Sequence, residues 1–144
     1  MQIIIPMSGF GERFRKAGYE IPKPLINVEN KPIIAHVIEM FPGENDFTFI
    51  CNNDHLENNK YKMAEILLKY CPSAKIIGID PHKLGPINAV SKVFNYIDTK
   101  KPIIVNYCDF TCYWNWDTFK KWTIDKDCDG IIPAYKDFHP HSFG

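Results

Sequence analysis

The sequence predicts an α/β domain of three layers, in which a mainly parallel sheet lies between two layers of helices. Two observations support this prediction. Short apolar segments rich in isoleucine alternate along the chain with segments of helical periodicity, and the apolar segments show little period-two alternation, as in strands covered on both faces. Parallel strands joined by right-handed crossovers place ligands beyond the carboxyl ends of the strands.

The predicted elements follow one another without an internal repeat or a linker. Strands are predicted at residues 2–6, 47–51, 75–79, 103–106 and 130–133. Three helices are predicted from apolar residues spaced by three, one and three positions, and a fourth, weaker helix holds Phe119 and Trp122. The three apolar sets are Ile34, Val37, Ile38 and Phe41; Met63, Ile66, Leu67 and Tyr70; and Val90, Val93, Phe94 and Ile97.

A polar segment and the three tryptophans are interpreted as parts of the structure rather than of a functional site. Residues 52–55 are predicted as a loop after the second strand. Trp114, Trp116 and Trp122 are predicted to pack a helix, because aromatic residues at such spacings usually belong to a core.

Length and composition indicate one domain, spanning residues 1–144, that binds a small ligand. Hydrophobic residues make up 45% of the 144 residues and aromatic residues 14%, which is enough for a substantial core. Seventeen Lys and Arg residues balance seventeen Asp and Glu residues. Because no net charge attracts nucleic acid or an anionic membrane, we expect neither as a partner, and any anion site must come from local geometry.

The five cysteines are odd in number and scattered, and they follow no leader with a basic start and a long apolar stretch. We therefore expect reduced thiols and a cytoplasmic protein. No apolar run approaches the roughly 20 residues of a membrane span. The chain is accordingly expected to be soluble.

A glycine-containing turn follows the first strand and is predicted to bind phosphate. The strand ends near Met7, and Ser8, Gly9, Phe10 and Gly11 then turn the backbone at the ligand edge of the sheet. Glycines permit tight turns and a close approach of backbone N–H groups to phosphate oxygens. The dinucleotide fingerprint fails, because Phe14 replaces its third glycine, and no Gly-Lys-Ser/Thr completes a Walker motif. A plain turn between strand and helix remains an alternative interpretation.

Two cations beside the turn favour the phosphate interpretation. Arg13 lies two residues after the second glycine, and Lys23 stands between two prolines in a segment too stiff to be helical, so that its side chain is held. Such a pair suits a polyphosphate. The alternatives are a solvated surface charge for Arg13 and an exposed loop residue for Lys23.

Several motifs occur together in a specific order. Gly-x-Gly-x-Arg-Phe at 9–14 is followed by Pro-Lys-Pro-Leu-Ile at 22–26 and by Lys-Pro-Ile-Ile at 31–34. LGPINAV follows the third predicted strand at 84–90, and VNYCDF ends the fourth at 105–110. In order and spacing these motifs resemble the sugar-1-phosphate nucleotidyltransferases and their cytidylyltransferase relatives, which implies their Rossmann-like nucleotide-diphospho-sugar transferase fold.

The resemblance also implies a reaction, in which an acceptor phosphate attacks the α-phosphorus of a nucleoside triphosphate and pyrophosphate leaves. Nucleotide sugars made in this way commonly supply capsule or other surface polysaccharides. Arg13 and Lys23 would then be catalytic, and Asp109 would hold Mg²⁺. Gly85, Pro86 and Asn88 would lie near the base or sugar of the nucleotide. A turn cap for Asp109 and a helix start for the Gly-Pro pair are the structural alternatives.

The acceptor site and the metal site are less defined by sequence. His139 and His141 are expected to border the acceptor's phosphate, although a solvated loop and a structural metal site with Cys108 and Cys112 are alternatives. Family members continue past the point at which this chain ends, and they carry a second metal-binding aspartate there. Asp137 matches no family position.

The missing part leaves three functional interpretations. We expect a nucleotidyltransferase core, either truncated or completed by a partner chain, that turns over little alone. It is expected to bind a nucleoside triphosphate and a small phosphorylated acceptor and to self-associate as a homo-oligomer. The alternatives are a glycosyltransferase that uses a nucleotide sugar, against which the absence of an Asp-x-Asp motif argues, and an inactive nucleotide-binding module.

Overall fold

The computed structural model describes residues 1–126 and 128–134. Its contacts divide the chain into two units, Met1–Trp114 and Asn115–Gly144. The elements of the first unit are, in chain order, β1 (Gln2–Met7), α1 (Glu12–Lys16), β2 (Asn27–Val28), β3 (Lys31–Pro32), α2 (Ile33–Glu39), β4 (Phe47–Asn52), α3 (Asn53–Glu57), α4 (Met63–Tyr70), β5 (Lys75–Ile79), α5 (Gly85–Lys92) and β6 (Ile103–Val105). Turns of 3-10 helix lie at Lys23–Leu25 and Phe94–Tyr96. No helix in the described part is long and apolar enough to cross a bilayer.

A parallel sheet with the strand order β5-β4-β1-β6 forms the centre of the first unit. Every residue of β1 and β4 is buried, as expected for strands covered on both faces. The predicted mainly parallel α/β sheet is therefore confirmed. The four strands predicted within residues 2–106 match the observed strands to within one residue at their ends.

The two faces of the sheet have separate apolar cores because successive side chains of a strand point to opposite sides. Ile4 and Ile50 join Ile79 in one cluster with Ala89, Val93 and Ile97, which are contributed by α5 and the turn after it. On the other face, the rings of Phe47 and Phe49 stack, and Phe41 meets Phe47 edge on at 6.1 Å. Helices on both faces give the three predicted layers.

A small antiparallel hairpin, β2 with β3, was not predicted. Glu29 and Asn30 occupy its turn with positive φ values of 49° and 67°, the backbone conformation of a tight two-residue hairpin turn. The hairpin delivers the chain to α2, whose buried residues are Ile34, Ala35 and Val37.

Three predictions about elements are wrong. Residues 53–57 form α3 rather than a loop, because the side-chain oxygen of Asn52 caps the helix by accepting the N–H of Asp54 at 2.8 Å. The third predicted helix ends at Lys92, and Phe94 is exposed in the following turn rather than packed with Val93. Residues 130–133 form no strand, since no described strand pairs with them.

The second unit contains α6 (Trp116–Asp125), the helix predicted from Phe119 and Trp122. Asn115 caps it, and its side-chain oxygen accepts the N–H of Thr118 at 2.9 Å. Trp114 precedes this helix and belongs to the first unit. Its ring meets Phe41 edge on at 5.7 Å, and its indole N–H donates to the carbonyl of Met40 at 2.8 Å.

Candidate functional site

A cleft of about 240 Å³ opens in the first unit at the carboxyl ends of the strands. Each of the four parallel strands is followed by residues that line it. This is the edge at which the sequence predicts a ligand. These lining residues are Met7 at the end of β1 with Ser8, Gly9, Phe10, Gly11 and Arg15 after it, His55 and Tyr61 after β4, His82, Gly85 and Pro86 after β5, and Tyr107 and Cys108 after β6.

The turn after β1 is held in place by its own helix. Gly11 has a φ of 63° and is the N-terminal cap of α1, so a residue with a side chain would be strained there. Arg15 donates from Nε and from a terminal guanidinium nitrogen to the carbonyl of Phe10, at 3.0 and 2.7 Å. The turn therefore carries a cation fixed at the cleft wall.

Arg15 was not selected from the sequence, whereas Arg13 was. Arg13 is exposed and does not line the cleft, and its guanidinium makes no hydrogen bond or ion pair with the described residues. The two arginines lie two positions apart on one short helix, so they project differently. The appearance of two arginines within one helical turn was the only signal for Arg15.

Lys23 is held, as predicted, and its partner is the predicted metal ligand. Its 3-10 turn directs the ammonium group to the carboxylate of Asp109, with which it forms an ion pair. The ammonium also lies 4.6 Å from the centroid of the Phe14 ring. Two residues that are 86 positions apart in the sequence thus meet beside the turn after β1.

The donor set suits a hard cation only in part. No group of three or more His, Cys, Asp or Glu residues that could hold a metal occurs within residues 1–126 and 128–134. Asp109 supplies a carboxylate, which fits Mg²⁺ if phosphate oxygens and water complete the coordination. Burial, followed by the charge of Asp109, raises the pKa of the Cys108 thiol to about 12.

Two histidines occupy the side of the cleft that belongs to β4 and β5. His55 lies on α3 and is 8% exposed, and its Nδ1 is buried without a hydrogen-bond partner in the described part of the chain. Burial, followed by the charge of Arg15, lowers the pKa of His55, so that its ring is neutral at pH 7. Tyr61 meets this ring edge on at 5.9 Å.

His82 lies in the loop between β5 and α5. Its Nδ1 accepts the N–H of Leu84 at 3.2 Å, while its Nε2 is buried and finds no partner among the described residues. Sequence reasoning missed both cleft histidines. The sequence contained an indication of both, since each histidine follows a predicted strand by a few residues. The loop predicted at residues 52–55 included His55 without assigning it a function.

A side-chain hydrogen bond ties the two histidine-bearing segments together. Asn53, on α3, donates from Nδ2 to the carboxylate of Asp80 at 2.9 Å, directly after β5. A Cβ atom at Gly78 would overlap the side-chain oxygen of Asn53. Because Gly78 has no side chain, the side chain of Asn53 can occupy the position from which it bonds to Asp80.

Gly85 and Pro86 begin α5, as expected if the Gly-Pro pair is a helix start. Gly85 has a φ of 83° and is the first residue of the helix, and Pro86 is the second; both line the cleft. Asn88 does not line the cleft, although its Oδ1 is buried and has no partner in the described part. His139, His141 and Asp137 lie outside the described residues, so their expected roles stay predictions.

Comparisons with known proteins agree with the motifs. No family model matches the chain. It is 25% identical over 108 residues to the D-glycero-alpha-D-manno-heptose 1-phosphate guanylyltransferase of Aneurinibacillus thermoaerophilus, a match that covers 74% of the chain and 45% of the relative. It is 28% identical over 149 residues to the mannose-1-phosphate guanyltransferase of Neurospora crassa, with 100% of the chain and 40% of the relative covered.

Solved structures show the same fold. A UDP-glucose pyrophosphorylase complexed with UDP-glucose superposes with a TM-score of 0.61 at 18% identity, and the match covers 87% of the chain and 54% of that structure. The resemblance predicted from the motifs and the predicted Rossmann-like fold are thus confirmed. The chain spans less than half the length of the curated relatives it matches.

Proposed function

We propose that this chain forms the nucleotide-binding core of a nucleotidyltransferase that transfers GMP from GTP to a sugar 1-phosphate and releases pyrophosphate. The observation that carries the proposal is that Lys23 lines the same cleft as the glycine turn and forms an ion pair with Asp109. Guanine is proposed because the relatives described above are guanylyltransferases for mannose 1-phosphate and a heptose 1-phosphate.

The glycine turn and the nearby cations would bind the triphosphate. The turn from Gly9 to Gly11 leaves its backbone open, with no atom within 4 Å of the place where a Cβ would stand at either glycine. A phosphate can approach such a backbone closely. Arg15 and Lys23 line the same cleft and would add positive charge. Arg13, which has no partner in the described part, is available to a phosphate that extends beyond the cleft.

These cations would also accelerate the chemical step. As an acceptor oxygen attacks the α-phosphorus in line, negative charge grows on the equatorial oxygens. A cation that binds this charge more tightly in the transition state than in the ground state lowers the barrier. Lys23 is suited to this role because a stiff Pro-Lys-Pro segment positions its side chain. Its ammonium group can exchange the ion pair with Asp109 for a contact with phosphate.

Asp109 would hold Mg²⁺ together with phosphate oxygens. Bound there, the ion would neutralise charge on the triphosphate and orient it. No group of three or more His, Cys, Asp or Glu residues occurs in the described part, which supports a metal site that forms with the nucleotide rather than before it. The nucleotide sugar produced would serve surface polysaccharide synthesis. We propose that this chain itself acts in the cytoplasm.

Calorimetric titration of the chain with GTP, CTP, UTP and ATP, each with Mg²⁺ and with a chelator, tests the proposal. We expect GTP to bind most tightly and Mg²⁺ to strengthen its binding. Pyrophosphate release with GTP and a panel of sugar 1-phosphates then tests transfer. The absence of heat with all four triphosphates would contradict the proposed binding site.

A further inference from the structure

The end of the cleft beside β4 and β5 contains buried ring nitrogens that no described residue satisfies. They are Nδ1 of His55 and Nε2 of His82. Both residues line the cleft, and His55 is more than nine-tenths buried. A buried polar atom without a hydrogen-bond partner destabilises the fold. Two such atoms at one end of a ligand cleft indicate positions where a ligand supplies the missing partners.

The hydrogen bond from Leu84 determines what His82 offers to such a ligand. Nδ1 of His82 accepts that N–H, so the proton of the neutral ring resides on Nε2. The unsatisfied Nε2–H of His82 is therefore a donor, and it requires an acceptor such as a carbonyl oxygen or a ring nitrogen.

His55 offers a neutral ring rather than a charge. Burial and the nearby Arg15 lower the pKa of His55, and Asp54 opposes this only in part. A neutral imidazole in contact with the edge of Tyr61 is a poor phosphate ligand. It suits a flat, uncharged partner that makes hydrogen bonds along its edge.

The order of the strands separates this end from the charged end. In the order β5-β4-β1-β6, Asp109 follows β6, whereas His55 and His82 follow β4 and β5. The glycine turn lies between them, after β1. A nucleotide with its phosphates at that turn and its metal toward Asp109 would direct its base toward the two histidines.

We propose that His82 and His55 recognise the base of the bound nucleotide and select a base with a carbonyl oxygen, with the Nε2–H of His82 donating to O6 of guanine. The inference rests on the proposed function for the orientation of the nucleotide. It adds two specificity-determining residues and an atom-level reason for choosing guanine over adenine, whose amino group at C6 would face the same N–H.

The test compares two nucleotides that differ only at the base with a polyphosphate that has no base. Calorimetry measures the dissociation constants of GTP, of 2-aminopurine riboside triphosphate, which keeps the 2-amino group of guanine and lacks the oxygen at C6, and of inorganic tripolyphosphate. The unaltered chain should bind GTP roughly tenfold more tightly than the 2-aminopurine analogue. His82→Phe should bring this ratio close to one and leave tripolyphosphate binding unchanged.

Two further variants separate recognition from structure. His82→Gln keeps an N–H donor and should recover part of the ratio, whereas His55→Phe should weaken both nucleotides and not tripolyphosphate. His36→Phe, which alters a histidine outside the cleft, should leave all three constants unchanged. A preference for GTP that survives in His82→Phe, or an equal loss for tripolyphosphate, would overturn the proposal.

The proposed function fails in a different way. If GTP and its analogue bind as described but no pyrophosphate is released with any sugar 1-phosphate, base recognition is supported and the transfer reaction is not. If none of the triphosphates binds, both inferences are overturned.

Discussion

The polar groups at the two ends of the cleft differ in whether they have partners. At the end beside β6, Lys23 and Asp109 neutralise one another. At the end beside β4 and β5, the neutral rings of His55 and His82 each keep a buried nitrogen without a partner in the described part. An unpaired buried charge is far more costly than an unpaired neutral group. A ligand must therefore displace an existing partner at the charged end, whereas at the neutral end it supplies a missing one.

Replacing Lys23 with Ala should produce the largest effect at the charged end. The lost interaction is a charge-assisted contact to phosphate, worth about 1.5 to 3 kcal/mol, so GTP and tripolyphosphate should both bind roughly 10 to 150 times more weakly. Thermal unfolding should change little, because the side chains of Lys23 and Asp109 are 31% and 30% exposed and such pairs contribute little stability.

Lys31→Ala provides the matched control for this prediction. Lys31 also forms an exposed ion pair, with Glu39, but it does not line the cleft. Its replacement should leave both binding constants unaltered. Equally weakened binding of GTP and tripolyphosphate in the Lys31 and Lys23 variants would show that Lys23 contributes only to the overall positive charge of the protein.

Replacing Asp109 with Asn should remove the dependence of GTP binding on Mg²⁺. Coupling between two ligands typically amounts to about 1 to 2 kcal/mol, so we expect Mg²⁺ to strengthen binding about 5- to 30-fold in the unaltered chain and hardly at all in the variant. With a chelator present, the variant should bind GTP no more weakly, since Lys23 has lost its competing partner. Titrations with and without Mg²⁺ measure both effects, and a retained Mg²⁺ effect would place the metal elsewhere.

The smallest predicted effect concerns the neutral end and pH. The folded chain lowers the pKa of His55 below its ordinary 6.5, so the unfolded chain takes up a proton first as the pH falls. The contribution of His55 to stability is therefore constant well above pH 6.5 and declines below it. The melting temperature should therefore fall between pH 7 and pH 5, and His55 should account for part of that fall.

His55→Phe should remove the His55 contribution and flatten the decline in melting temperature. Arg15 and Asp54 are the charged groups that act on the His55 ring, so Arg15→Gln should also flatten the decline in part. An unchanged slope in His55→Phe would show that other groups dominate this pH range.

The charged end was largely predictable from the sequence, and the neutral end was not. The glycine turn and Lys23 were expected at a phosphate from residue type and spacing, and Asp109 was expected at a metal from the resemblance; these roles stay predictions. The pairing of Lys23 with Asp109 could not be foreseen, because it joins segments that only the sheet brings together. The parallel strands were predictable because burial on both faces requires continuous apolar runs.

The errors have a common physical origin. The loop predicted at residues 52–55 is a helix from residue 53 onward, because polar side chains after a strand are also those that cap a helix. His55 was missed with that helix. Residues 130–133 are apolar, but a strand also requires a neighbour to pair with, which composition does not reveal. A histidine becomes a specificity residue only through its partners, and the N–H of Leu84 that orients His82 carries no side-chain signal.

Gly78 illustrates how a position on the surface can be intolerant of change. The residue is exposed, so a survey of accessibility would rank it among the freely variable sites. Any side chain there would displace the oxygen of Asn53 and break its bond to Asp80, which sets α3 against β5. In a saturation library selected for nucleotide binding, position 78 should be depleted of every residue but glycine, while a selection for folding alone should retain alanine and serine. A difference between the two selections would show that Gly78 is required for nucleotide binding and not for folding.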